Sequence, residues 1–299
     1  MILKPREVPA ELKTLRLLRP RMPLPDEQRY LYLEKGFKGE QQLDAWLEDL
    51  TTDCFVINDL LLNQNRNFFQ IDKMLILQET IYLLESKYSK GDFFIVDDKW
   101  KAMSGIEIQD PRLQLKRSET LLRKLLHQHR LNFPVESTLV FTHSEFYLYN
   151  APPQLPAVFP NQIHRFLETL NRLDSKMTHK HNKLAEKLLA LHVHDNPHTQ
   201  FPDYNYHELK KGVVCANCRS FMADKGVNWA CAKCEYEEDN KTAIMRSIEE
   251  YKCLFPDRKI TTNNIYDWCG MTSSKKKINR ILTNNFTRVG HGNASYYVD

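Results

Sequence analysis

The chain has 299 residues, 42% of them hydrophobic, a length that suits about two domains and enough apolar material for at least one real core. No run approaches the ~18 uninterrupted apolar residues of a membrane span. The opening MILKPREVPAELKTLRLLRPRMPLP lacks the apolar centre and small-residue cleavage site of a signal peptide, so a cytoplasmic protein is expected. The formal net charge of +4 is unevenly spread: Arg112 to Arg130 holds six Lys or Arg against Glu119 alone, and Lys241 to Asp299 holds ten against five acids, a net of +5. Such clusters suit either a polyanionic partner or a solvated helix face.

In chain order, the first 28 residues carry five of the fourteen prolines and read as an extended arm. EKGFKGEQQLDAWLEDL then places Leu43, Trp46, Leu47 and Leu50 at helical spacing, an amphipathic helix whose opening turn is expected to contain Gly39 and Glu40. DCFVINDLLL reads as a strand. NFFQIDKMLIL and TIYLLESKYS, separated by a polar turn around Gln78 and Glu79, read as an antiparallel hairpin, and DFFIVDD as a further strand. After Pro111 comes a helix with leucines on one side and the first basic cluster on the other, and STLVFTHSEFYLYN returns to strand. This order predicts an α/β domain over residues 29–170. Residues 171–210 read as a polar helix and linker, whose histidines at 179, 181, 192, 194 and 198 lack the spacing of a closed metal site and are expected in solvent.

The stretch YLLESKYSKG poses a chemical question. Side chains in a strand repeat every second residue, so Glu85 and Lys87 share a face while Ser86 points to the other. The pair is either a salt bridge or half of an active site. Phosphodiester hydrolysis requires a nucleophilic water and neutralised phosphate oxygens, which carboxylate-held magnesium supplies. A lysine beside such an ion can orient the water or help deprotonate it. Asp72 on the first hairpin strand, with Glu85 and Lys87 on the second, forms that minimal set, and Glu40 adds a further acid if its helix packs across the sheet.

The arrangement Gly36-x-x-Gly39-Glu40, Ile71-Asp72 and Glu85-x-Lys87-x-x-x-Gly91 resembles the nuclease-related domain, a branch of the PD-(D/E)xK restriction-endonuclease-like superfamily, over residues 30 to about 150. The resemblance implies that Asp72 and Glu85 are ligands of Mg2+ or Mn2+, that Lys87 is the catalytic lysine and that Glu40 is an accessory acid. Pro111-x-x-Gln114 is similar to the family's proline and glutamine, which places the Gln114 amide near the active site. The sequence departs from the family pattern at Ser86, where an aliphatic residue is usual, and at Asp72, which follows isoleucine rather than proline.

Seven cysteines, four of them in two C-x-x-C pairs, favour a metal over disulfides. Cys215, Cys218, Cys231 and Cys234 would close a tetrahedral site at Zn–S distances of roughly 2.3 Å. The segment resembles a zinc ribbon, assigned to residues 211–240 with a hairpin near Lys225-Gly226; rubredoxin-like iron and unligated core cysteines are the alternatives. Cys54, Cys253 and Cys269 read as small core hydrophobes.

Residues 241–299 read as three helices, the last two broken at Gly270 with Ser273 capping the third, followed by a two-stranded turn about His291-Gly292-Asn293. Ile278, Ile281 and Leu282 are expected to face inward. Three helices and a wing look like a winged helix, a family whose third helix enters the DNA major groove, so Lys275, Lys276, Lys277, Arg280 and Arg288 are candidate phosphate contacts. A winged-helix protein-interaction module remains the rival. The expectation for the whole is a metal-dependent nuclease acting on DNA, with RNA sharing the same phosphate chemistry and a homodimer supplying the two active sites that duplex cutting requires. The alternative is a non-catalytic DNA-binding or regulatory protein that uses the nuclease fold as a scaffold.

Overall fold

The computed structural model describes residues 1–271, 274–292 and 295–299, and the chain separates into two compact units. The first comprises Met1–Val8 and Leu31–His198, the second Pro9–Tyr30 and Thr199–Asp299. No helix among the described residues is long and apolar enough to cross a membrane.

The first unit is built on a six-stranded mixed sheet. Strand β1 (Ile2–Lys4) runs parallel to β2 (Phe55–Gln64), which turns into antiparallel β3 (Asn67–Ile76). Asn65 and Arg66, both with positive φ, make the two-residue turn between them, a hairpin that precedes the expected one. β3 pairs antiparallel with β4 (Ile81–Lys87), as the apolar runs predict. β4 then runs parallel to β8 (Val135–Phe141), and β8 to the short β10 (Ala157–Val158). A second sheet joins β5 (Gly91–Val96), β6 (Lys99–Ala102), β7 (Glu107–Ile108) and β9 (Phe146–Tyr149), so the single run STLVFTHSEFYLYN divides between two sheets.

Helices cover both faces of the large sheet. On one face α3 (Pro111–Gln128) and α5 (His179–Ala190) bury Leu122, Leu125, Leu126, Leu184 and Leu188 against Ile57, Phe69, Ile71 and Leu83. On the other, α2 (Glu27–Trp46) and α4 (Ile163–Asn171) bury Leu43, Ile163, Leu167 and Leu170 against Leu75, Leu84 and Val140. This is the mixed α/β layering expected for a restriction-endonuclease-like domain. α2 approaches β4 closely because Gly39 has no side chain: a Cβ there would lie 2.7 Å from Tyr88 Cβ and 3.0 Å from Thr142 Oγ1. A Cβ at Gly36 would meet nothing within 4 Å. Gly36→Ala should therefore stabilise the fold by about 0.5–1 kcal/mol through helix propensity. Gly39→Ala should instead cost about 1–3 kcal/mol of overpacking, a difference in sign that urea unfolding of the two variants would reveal.

The N-terminal residues correct the expectation of an extended arm. They contribute β1 and helix α1 (Ala10–Leu18), in which Leu12, Leu15 and Leu18 are buried. Pro9 stands at the N-cap of α1, where it punctuates the chain without preventing helix. The polar helix expected here is α5, which packs in the first unit; the segment after it has no helix or strand up to residue 210, yet Tyr206 and Leu209 enter the core of the second unit. His181, expected in solvent, is buried, with Nε2 bonded to the Gln78 carbonyl at 2.9 Å.

In the second unit β11 (Ala223–Asp224), β12 (Asn228–Ala230) and β13 (Glu237–Asp239) form a small antiparallel sheet. Helices α6 (Asn240–Leu254), α7 (Thr262–Trp268) and α8 (Lys275–Asn285) follow, then the antiparallel pair β14 (Thr287–Val289) and β15 (Tyr296–Val298). One core joins Leu17, Leu18, Trp229, Ile248, Trp268, Ile278 and Leu282. Asp239 caps α6 through the Lys241 and Thr242 amides, and Ser274 caps α8 through the Lys276 amide at 3.2 Å. Ser273, the expected cap, lies outside the described residues, as does Asn293 of the expected turn.

Candidate active site

The catalytic candidates gather where β3 and β4 separate. Their pairing ends at Lys73↔Leu84, while β4 continues beside β8 with Glu85↔Leu139 and Lys87↔Phe141. One residue beyond the last pair, Asp72 substitutes a side-chain bond for the ladder: its Oδ2 accepts from the Ser86 amide at 3.0 Å. Asp72 and Glu85 are both buried, and Lys87 donates its ammonium to Glu85 Oε1 at 2.8 Å and to Gln114 Oε1, from the first turn of α3, at 2.9 Å. Four of the five expected residues, Asp72, Glu85, Lys87 and Gln114, are thus brought to one place by the fold. Ser86, the departure from the family pattern, faces Gly39 from the sheet, so a small side chain there fits the close approach of α2.

Glu40 enters through a group that sequence reasoning missed. Arg6, its side chain only 5% exposed, donates Nη1 to Glu40 Oε2 and to Asp59 Oδ1, both at 2.6 Å, and Nε to Asp44 Oδ2 at 2.6 Å. Its Nη2 donates to the Asp72 carbonyl at 3.0 Å. Lys73, also buried, pairs with Asp44 at 2.6 Å. Charged residues inside apolar strand runs, Asp59 in FVINDLLL and Lys73 in IDKMLIL, were the available signal, since a buried charge needs a partner.

These contacts link five carboxylates, on Glu40, Asp44, Asp59, Asp72 and Glu85, to three cations, Arg6, Lys73 and Lys87. With Lys4 acting on Asp59 as a fourth cation, full ionisation still leaves the cluster short of positive charge. The electrostatics express this deficit. Burial, then the charge of Asp59, pushes the Glu40 carboxyl up to about 7 in spite of Arg6. Burial, then the charges of Glu85 and Glu40, raises Asp72 well above the usual carboxylate range. Burial opposes the Lys87 cation, but the Glu85 charge and hydrogen bond outweigh it and raise its pKa. A divalent ion matches both the missing charge and the hard oxygen donors, and Asp72 Oδ1 and Glu85 Oε2 are the oxygens left outside the bonds just described.

The four cysteines stand in the second unit with their sulfurs within 4.8 Å of one another. Two knuckles repeat one geometry. Cys215 N donates to the Ser220 carbonyl and Arg219 N to Cys215; Cys231 N donates to the Tyr236 carbonyl and Glu235 N to Cys231. Arg219 and Glu235 both have positive φ, which lets each chain turn back behind its second sulfur. The Sγ separations of 3.6 Å for Cys215–Cys234 and 3.4 Å for Cys218–Cys231 suit edges of a tetrahedron around one thiophilic ion. The hairpin turns at Lys225-Gly226, with Gly226 at positive φ. This cluster fits a zinc ribbon.

Among the basic candidates, Lys275, Lys276, Arg280 and Arg288 are exposed, whereas Ile278, Ile281 and Leu282 are buried as expected. Lys277 is only half-exposed and donates its ammonium to the Gly226 carbonyl of the ribbon hairpin. The basic side of α3 is partly occupied as well, because Arg112 pairs with Asp98 and Asp110 and Arg123 with Glu119.

Comparison with curated proteins and with solved structures finds no match. A family model does match: the nuclease-related domain, over residues 35–142. That stretch runs from the middle of α2 to the end of β8 and contains Glu40, Asp72, Glu85, Lys87 and Gln114. Over residues 35–142 this chain is thus similar to the nuclease-related domain.

Proposed function

We propose that the protein is a metal-dependent nuclease that hydrolyses phosphodiester bonds of DNA. The observation that carries this reading is the burial of Asp72 and Glu85 side by side at the fork of β3 and β4, with the Lys87 ammonium beside them and more carboxylates than cations around them. Asp72 and Glu85 would hold Mg2+ or Mn2+, with Glu40 as an accessory acid. The ion supplies charge neutralisation at the phosphate and a nucleophilic water.

Without an ion, the Glu85 charge and hydrogen bond favour the Lys87 ammonium. Beside a bound ion it would orient the attacking water or help deprotonate it, and would stabilise the charge that grows on the phosphate oxygens. Gln114 Oε1 accepts a second hydrogen bond from the ammonium and helps to fix its direction. The four cysteines hold a structural Zn2+, whose closed thiolate shell leaves no position for substrate.

The C-terminal region acts as a winged helix that brings nucleic acid to the protein. In support, α6 is followed by a bridge at Ile260, then α7, α8 and the two final strands, and Ile260 pairs with Tyr297 of the last strand. Lys275, Lys276 and Arg280 on α8, with Arg288 on β14, are the proposed phosphate contacts, and Lys277 braces the ribbon. A homodimer would supply two such sites for cutting a duplex.

A second reading, a non-catalytic DNA-binding scaffold, is favoured by one observation: the Glu85–Lys87 ion pair is complete without a further ligand. The test is incubation of the protein with supercoiled plasmid and with linear single strands, in magnesium, manganese or chelator. Metal-dependent cutting should vanish in Glu85→Ala and Lys87→Ala while DNA affinity persists. Equal cutting by parent and variants would overturn the nuclease reading.

A further inference from the structure

We propose that Arg6 is a positioning residue of the phosphodiesterase site, so that residues 1–8 belong to the metal site although they lie outside the stretch matched as a nuclease-related domain. The inference rests on the nuclease reading and deepens it. It starts from an interruption in the sheet. β2 and β3 keep one register on either side of Asp59 and Asp72, yet those two residues do not pair. Ile57 and Leu60 reach the same core, as do Ile71 and Met74, so the two-residue alternation breaks in both strands at the same level. Asp59 accommodates the break with a φ of 49°.

A broken ladder leaves main-chain groups without partners inside the protein, where each unmade bond costs about 1–3 kcal/mol. Arg6 fills that gap. The parallel register Ile2↔Val56 and Lys4↔Ile57 carries the chain toward this level, and Arg6 Nη2 donates to the Asp72 carbonyl. The same guanidinium clamps Asp59 and Asp44 and reaches Glu40. A planar fork with five N–H donors can hold four partners from three elements at once; an ammonium, with a single nitrogen, cannot.

The charge balance of the cluster separates two roles. Arg6 and Lys73 match Asp44 and Asp59, a neutral clamp. Glu40, Asp72, Glu85 and Lys87 carry the negative charge in excess. Arg6 is the group that spans both sets: it bonds the Glu40 carboxylate and the backbone of Asp72, and so fixes where the accessory acid and one of the two proposed metal ligands stand. A group with only a structural role would leave the affinity for a divalent ion unchanged once the fold is intact.

The test uses the zinc-loaded full chain. Arg6→Ala would leave buried acids unpaired and unfold the protein, so the informative variant is Arg6→Lys, which keeps the charge and removes the fork. Asp59→Asn is the comparison: it loosens the clamp, keeps the Arg6 bonds to Glu40 and to the Asp72 carbonyl, and removes a charge that disfavours the Glu40 carboxylate, so it gives no reason for Mn2+ affinity to fall. Mn2+ binding is followed from the resonance of the free ion, beside the melting temperature and the rate of plasmid nicking. Arg6→Lys should remain folded, weaken Mn2+ binding by about 10- to 100-fold, and lower kcat with KM for DNA unchanged, whereas Asp59→Asn should bind Mn2+ no more weakly than the parent does. Unchanged Mn2+ affinity in Arg6→Lys, or an equal loss in Asp59→Asn, would overturn the assignment. Parent protein that binds Mn2+ no better than Asp72→Asn would instead remove the nuclease reading itself.

Discussion

Replacing Asp72 with asparagine should abolish cleavage while making the metal-free protein more stable. The side chains have the same shape, and the asparagine oxygen can still accept from the Ser86 amide. What disappears is a charge that burial, Glu85 and Glu40 all disfavour. Loss of groups that merely support a metal ligand costs about 10- to 100-fold in affinity or activity, and loss of a proposed ligand should cost more. The stability gain should depend on pH. A carboxyl whose folded pKa is raised adds stability below its unfolded value near 4 and loses that contribution as pH climbs through the raised one. The melting temperature of the variant in chelator should therefore exceed that of the parent at pH 8, with the gap narrowing toward pH 5. Added manganese should raise the melting temperature of the parent alone. A variant that is less stable at pH 8, or that still cuts, would contradict this account of Asp72.

The second large effect should follow loss of the ion held by the cysteines. Cys215 and Cys231 are buried in the same core as Trp229, Ile248 and Trp268, so the ribbon is continuous with the packing of its unit. Metal binding in small zinc modules amounts to about 10–16 kcal/mol at neutral pH, as large as the whole stability of a typical domain at ~5–15 kcal/mol. Cys231→Ser should lower the zinc content from one ion per chain to near zero. The fluorescence of Trp229 and Trp268 should shift to the red, and amide protection in α6, α7 and α8 should collapse. Amides of β2, β3 and β4 belong to the other unit and should keep their protection in hydrogen exchange. Zinc-free protein with full protection in the three C-terminal helices would show that the ribbon adds nothing to that core.

The candidate active site was legible only in part. Glu85 and Lys87 were found because strand periodicity puts them on one face, and Asp72 because a short polar turn dictates the antiparallel neighbour of their strand. Both rules act over a few residues and need no tertiary information. The paired cysteines were equally visible, since each knuckle closes within six residues. Arg6 was not visible. Its partners lie 34, 38, 53 and 66 positions away, and it sits among prolines that suggested an arm. His181 misled for a related reason: a polar helix looked solvated, but the ring bonds to a carbonyl 103 positions earlier.

By itself the sequence determined helices α2 and α3, the hairpin that carries Asp72 and Glu85, and the two cysteine knuckles, because each follows from the period of apolar residues or from a turn closed locally. Tertiary structure alone decided that the N-terminal strand joins the sheet, that the alternation of β2 and β3 breaks at Asp59 and Asp72, and that one arginine bridges the break to Glu40. Those features arise where buried charges and unpaired main-chain groups must be satisfied by whatever part of the chain the fold brings near, and no local pattern records which part that is.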